Sequence, residues 1–414
     1  MMRGVVSAML IGAMSATAGG AAAAEPVTIG AIYPMTGAGA AIGAEAKAAI
    51  ETAAEIVNTS HPGLDTLPLG AGAGLPGLGG ARLAVAFADD QANPSVAVSQ
   101  VVRLKSTDRA AALIGAGDDA MTLAATAQAE RAGLPFLVPD ATAPQVTGRG
   151  FAWIFRTTPL AGDIAQGYMA FLAAVKASGG TVASIGLVHE ATERGRAVAA
   201  ALRDAAQAAG FGIGSEYDFA PGSTDLSAAV AGLRDSRPDV VIAVASAADA
   251  GLLVTTMNTL GYRPPLLIGD DAGFSDPRFV AADGNLAQGL VDRSAWRLGD
   301  AGSASAIVNQ LYKARAGRDL DDTGARVIQG FLVLADAINR AGSTEPAAIR
   351  DALRQTDLKA DQLIVGYNGV KFDATGQNTL GATYLTQLQG KTYATVWPAA
   401  SATASLMLPF KGGL

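Results

Sequence analysis

Short apolar strands alternate with helical stretches twice along this chain, a rhythm that points to parallel sheets covered by helices on both faces. In the first series, Val27–Tyr33 reads as a buried strand, and the spacing Ile42, Ala46, Ala49, Ala53, Ile56 has the three-and-four period of a helix face. A strand at 83–87 precedes Asp89-Asp90 and a helix opened by Asn93-Pro94, where Asn can cap and Pro suits the first turn. Strands at 111–114 and 134–138 flank a helix from about Met121. The second series predicts helices at 163–177, 193–209, 225–233 and 247–260 with strands at 182–188, 240–244 and 266–268. Helices at 303–315, 323–341 and 345–355 follow, and the chain closes on short strands such as 370–372 and 383–388. Residues 61–80, rich in Gly, Pro and Leu and without either period, read as an exposed loop insert.

The N-terminus points to export. Arg3 precedes an apolar stretch from Val5 to Ala18, and Ala21 to Ala24 form a small-residue cleavage site before Glu25-Pro26. Residues 1–24 are therefore expected to be a signal peptide cut after about Ala24; the apolar run is shorter than the ~20 residues of a spanning helix. Zero cysteines exclude disulfides, a lipid-anchored N-terminal Cys and thiolate metal sites, so the expected mature protein is soluble and periplasmic, and not a lipoprotein. A net charge of −7 leaves no basic footprint for nucleic acid.

Enzyme motifs are thin. Gly72-x-Gly74-x-x-Gly77 matches a phosphate loop by letter but precedes a strand instead of following one. The stretch Gly115-Ala-Gly117-Asp-Asp-Ala120 follows a strand and opens a helix, as a dinucleotide fingerprint does, yet Asp118 and Asp119 would repel a pyrophosphate at that helix end. The only histidines, His61 and His189, cannot supply a multi-histidine metal site, and His189 lacks a Gly-x-Ser-x-Gly elbow. The expectation is a binding protein with no catalytic residues, cofactor or metal.

Several stretches, in order and spacing, carry a likeness: residues 30–37 (GAIYPMTG), Asp89-Asp90 with Asn93-Pro94, Ile114-Gly115, residues 135–142 (PFLVPDAT), residues 155–157 (FRT) and Gln166-Gly167. With these the chain resembles the periplasmic leucine-isoleucine-valine-binding proteins, the type I solute-binding components of ABC importers, from about Val27 to Asp373. The resemblance implies an α/β fold of two doubly wound lobes joined by a three-strand hinge and closing on a small ligand. Lobe one is expected at 25–158 plus 292–379 and lobe two at 159–291 plus 380–414, with crossings near Thr158, Asp292 and Thr379. It implies an inner-membrane permease complex as partner and a monomeric protein.

Position by position, the resemblance implies a site containing Thr142, which helps hold a ligand carboxylate, and Asp140 and Ala141 beside it on a strand-end loop. It places Asp271 where an acidic residue pairs with a ligand ammonium; a turn or cap role is the alternative. Asp163 is either a lobe-two contact or a helix cap. Asp119 stands where the family has a serine, and either faces the ligand or caps its helix. Arg194, Ser246 and Ala41 replace family aromatics, which enlarges the pocket and removes its fit for leucine. The ligand expected is a small amino acid-like or amine-bearing molecule. The alternatives are an aromatic or dicarboxylic acid gripped by Arg194, or a sensor role that uses the same closed surfaces.

Overall fold

The structure is a computed structural model, and it describes residues 1, 24–71, 73–270 and 272–412. Residues 2–23 of the expected export segment, and Asp271, lie outside the described residues. The first sheet contains Val27–Tyr33 (β1), Leu83–Asp89 (β2), Ala112–Gly115 (β3), Phe136–Val138 (β4) and Ile154–Arg156 (β5), in the order β2-β1-β3-β4-β5 and parallel throughout. Helices Ala40–Asn58 (α1), Pro94–Ser106 (α2) and Asp119–Ala132 (α3) connect them. Asn93 caps α2, its side chain accepting the Ser95 amide at 2.9 Å. At Gly30 a Cβ would stand 2.6 Å from Leu113 Cδ2 and 2.9 Å from Leu104 Cδ1, so the missing side chain is what lets α2 lie close against β1.

The second sheet is built from Ala161–Ala177 (α4), Ser184–Glu190 (β6), Glu193–Ala209 (α5), Gly212–Phe219 (β7), Ser227–Ser236 (α6), Val240–Val244 (β8), Ala247–Thr259 (α7), Leu266–Asp270 (β9), the short helices Ala272–Ser275 (α8) and Pro277–Asp283 (α9), and Val291–Ser294 (β10). The chain then returns to the first lobe with Ala304–Ala316 (α10), Asp322–Ala341 (α11), Pro346–Arg354 (α12) and the antiparallel pair Asp357–Lys359 (β11) and Gly369–Lys371 (β12). It ends on Tyr384–Gln389 (β13) and Thr392–Trp397 (β14), antiparallel additions to a sheet ordered β14-β13-β10-β9-β8-β6-β7. Each lobe buries apolar side chains on both faces of its sheet. In the first, α1, α10, α11 and α12 cover one face and α2 and α3 the other; in the second, α4 and α5 lie opposite α6 and α7. Helix α11 is enclosed along most of its length, from Asp322 to Ile338.

Two expectations need correction. The strand β7 was not anticipated, because it is an edge strand whose residues alternate toward solvent and offer no apolar run. The insert 61–80 is not simply an exposed loop: Leu64, Leu67 and Leu75 are buried in the first core, and the Gly77 amide donates to Asn339 Oδ1 at 2.8 Å. The second sheet keeps Asp292, paired with Gly269 and Thr386, and the first core resumes at Ala295, within a few residues of the expected middle crossing.

Candidate functional site

In each sheet the parallel strands end on one edge. From the first, β1, β3 and β4 run into the starts of α1 and α3 and the loop 139–147; from the second, β6, β8 and β9 run into α5, α7 and α8. Between the lobes lies a polar cavity of about 250 Å³ where the starts of α1, α9 and α11 converge, lined by Ala41, Glu45, Arg318 and Asp321 of the first lobe and by Asp276 and Arg278 of the second. Open parallel sheets gather ligands at this kind of edge, where loops and helix N-termini converge. Gly43 lets α1 approach: a Cβ there would stand 2.2 Å from the Pro34 carbonyl oxygen.

The loop 139–147 is fixed from several sides. Asp119 Oδ1 accepts the amides of Thr142 at 2.9 Å and Ala143 at 3.0 Å. From the opposite side, fully buried Arg156 donates through Nη1 to the carbonyls of Ala143 at 2.7 Å and Ala141 at 3.2 Å, through Nη2 to Thr147 Oγ1 at 3.1 Å, and through Nε to Gln377 Oε1 at 2.7 Å. Burial lowers its guanidinium to about 10, with Asp119 and Asp163 pulling the other way, so it stays charged at neutral pH.

The first turn of α11 carries a second layer. Asp321 caps the helix by accepting the Gly324 amide, and Asp322 accepts the Ser294 hydroxyl at 3.3 Å and the Ala295 amide, gripping the middle crossing. One turn on, Arg326 lies 3.2 Å from Asp322 and 3.7 Å from Asp140, which also accepts the Tyr33 hydroxyl at 3.4 Å. Burial pushes the Asp140 carboxyl up to about 7; Arg326 opposes the rise and Asp322 adds to it. In the second lobe, Arg293 pairs with Asp270 in a buried ion pair. Burial works to raise Asp270, but Arg293 and then Arg194 hold it below the ordinary carboxylate value. Beside them Asp292 is buried with no hydrogen-bond partner for either carboxyl oxygen among the described residues, and burial together with Asp322 and Asp270 pushes it well above the carboxylate range.

The structure brings Asp119, Asp140, Ala141 and Thr142 together on one loop system. It separates their roles from those expected: Asp118, not Asp119, caps α3 by accepting the Met121 amide at 2.8 Å, and Asp119 braces the loop. Asp163 accepts the Leu160 amide at 3.1 Å as part of the α4 cap. Arg194 stands in the first turn of α5, half-buried, with its field falling on Asp270. Ser246 is exposed at the start of α7, its amide held by Glu190. Sequence reasoning missed Glu45, Asp276, Arg278, Arg318, Asp321, Asp322 and Arg326. The signals available were Asp276-Pro277 and Asp321-Asp322 at the mouths of two helices, N-cap patterns that also carry site groups.

Among the described residues no helix is long and apolar enough to cross a membrane, and no cluster of three or more His, Cys, Asp or Glu could hold a metal ion. The sequence matches the family described as Periplasmic binding protein over residues 26–393. It is 30% identical to Leu/Ile/Val-binding protein homolog 8 of Brucella suis, over 97% of this chain and 98% of that one. It is 26% identical to Leu/Ile/Val-binding protein homolog 7 of Brucella melitensis, over 95% and 96%. The fold is similar to a putative branched-chain amino acid ABC transporter protein from Silicibacter pomeroyi, with a TM-score of 0.78 at 22% identity over 93% of this chain and 99% of that one. It is also similar to the substrate binding protein LivJ from Streptococcus pneumoniae in complex with isoleucine, with a TM-score of 0.73 at 19% identity over 93% and 100%. A match spanning both lobes, on two doubly wound sheets with a polar cavity between the lobes, places this chain in the periplasmic binding protein family.

Proposed function

We propose that this protein is the solute-binding component of an ABC importer, exported by residues 1–24, that captures a small amino acid-like or amine-bearing molecule between its lobes and presents it to an inner-membrane permease. The observation that carries this reading is the cavity lined from both lobes at the starts of α1, α9 and α11, where closure of the hinge can enclose a small solute. In this reading Thr142 on its braced loop, with Asp140 and Ala141 beside it, meets the solute from the first lobe, and Arg194, Ser246 and Asp271 meet it from the second. In this reading Asp271 pairs with the ligand ammonium. Arg194 already acts on Asp270, an internal use of its charge that favours the amine over an acid gripped by the guanidinium. The protein works as a monomer and catalyses no reaction in this scheme.

The test is a thermal-shift screen of the exported protein, unfolded and refolded to strip bound ligand, against amino acids, amines, amides and aromatic acids. A ligand at 100 times its dissociation constant adds about 2.7 kcal/mol of stability, which is visible in such a screen. Shifts by amino acids or amines support the reading, and loss of those shifts in Asp271→Ala places the ammonium. Shifts confined to acids move the ligand's anchor to Arg194, and a silent panel removes solute capture.

A further inference from the structure

The cavity between the lobes is walled by charges that are already matched. Arg318 lies 2.9 Å from Glu45 and 2.7 Å from Asp321 on the first lobe. On the second, Arg278 bonds Asp276 at 3.0 Å through Nε. The Gly324 amide donates to both Glu45 at 3.1 Å and Asp321 at 3.0 Å, so those two carboxyls crowd one point, an arrangement that favours a proton on the pair. Burial raises Glu45, with the hydrogen bond and charge of Asp321 adding to the rise and Arg318 opposing it, while Asp321 is held low, so the proton of the pair sits on the Glu45 side. Two arginines and two aspartates remain, and the wall carries no net charge.

The start of α1 connects the cavity to the start of α3. Ala41 lines it, and the neighbouring Ile42 comes within 3.8 Å of where a Cβ on Gly117 would stand, just before Asp119 and its bonds to Thr142 and Ala143. A solute held between the lobes with one end in this cavity would meet Glu45, Arg318, Asp276 and Arg278 there. An aliphatic end there would cut polar groups off from water without replacing their hydrogen bonds, and a charged end would leave one charge unmatched.

Building on the proposed function, we infer that this cavity receives the far end of the solute and selects an uncharged hydrogen-bonding group, a carboxamide or hydroxyl, over an aliphatic or charged one. Glu45 and Arg278 are then specificity-determining residues, one from each lobe.

The experiment is calorimetric titration of the refolded exported protein with glutamine, leucine, glutamate and lysine, and with the matching amines that lack the α-carboxylate. Glutamine or its amine is expected to bind at least tenfold more tightly than its aliphatic and charged counterparts. Glu45→Leu is expected to shrink that preference at least tenfold. Arg278→Ala, at a side chain 75% exposed and therefore safe for folding, is expected to narrow it as well. Tightest binding by leucine, glutamate or lysine, or an unchanged preference in a folded Arg278→Ala protein, overturns the inference while leaving solute capture standing. Binding by no amino acid or amine overturns the proposed function and this inference with it.

Discussion

Arg156 and Gln377, 221 residues apart, meet inside the hinge, where the Arg156 Nε donates to the Gln377 side-chain oxygen at 2.7 Å. The same glutamine donates to the Thr158 carbonyl at 3.1 Å, and its neighbour Asn378 donates to the Thr157 carbonyl at 3.0 Å. The first and last crossings are thereby tied side by side, and the guanidinium that ties them also holds the carbonyls of the loop carrying Thr142. Hinge and binding loop share one buried cation.

Arg156→Met is expected to destabilise the protein by roughly 3–5 kcal/mol, because it strands several buried acceptors at once. Arg156→Lys keeps the charge but cannot reproduce the planar fork, and should fall between the two. Urea unfolding of the ligand-free proteins measures both. Equal stability of the Met variant and the parent would show that these bonds contribute nothing net.

Asp140 makes a pH signature. Its folded-state value of about 7 exceeds the ~3.9 of an unfolded chain, so between those limits the folded protein holds a proton that the unfolded chain releases. Stability from this group is therefore present at low pH and lost as pH rises from about 4 to 7, with a slope of up to about 1.4 kcal/mol per pH unit. Asp140→Asn cannot titrate and should flatten the wild-type curve across that window. Parallel stability curves for the two proteins from pH 4 to 7 would remove Asp140 as the source.

Local periodicity announced much of this architecture. The two strand-and-helix series, the Asn93 cap and the helix at 193–209 follow from apolar spacing and cap chemistry that a short window contains. The site is less legible because its partners are remote: Asp140, Asp322 and Arg326 in one lobe and Asp270 and Arg293 in the other have no shared local pattern. Helix α11 begins at Asp322 and not Thr323 because its first turn is polar by role, with Asp322 gripping the crossing strand, and apolar spacing cannot register such a residue. The edge strand β7 and the buried leucines of the insert fail for the opposite reasons, an apolar signal diluted by exposure in one and lacking any period in the other.

The insert should therefore behave as part of the core. Leu64 is fully buried beside the α1 side of the first sheet, and Leu64→Ala is expected to cost about 2–5 kcal/mol, as for other buried leucines. A solvent-exposed loop would tolerate the change within about 0.5 kcal/mol. Chemical denaturation separates the two outcomes cleanly.

Asp119 offers the sharpest test of how the binding loop is held. Its carboxylate accepts two consecutive amides, Thr142 and Ala143, so Asp119→Ala leaves both donors without this acceptor and should cost about 1–3 kcal/mol of stability. Asp119→Asn retains a side-chain carbonyl oxygen at the same place and should cost less. Because Asp119 works through the loop, the Ala variant is expected to weaken solute binding about tenfold while amide hydrogen exchange at Thr142 and Ala143 speeds up in the ligand-free protein. Weakened binding with unchanged exchange at those two amides would mean that Asp119 meets the solute directly, the role that its serine-equivalent position implied.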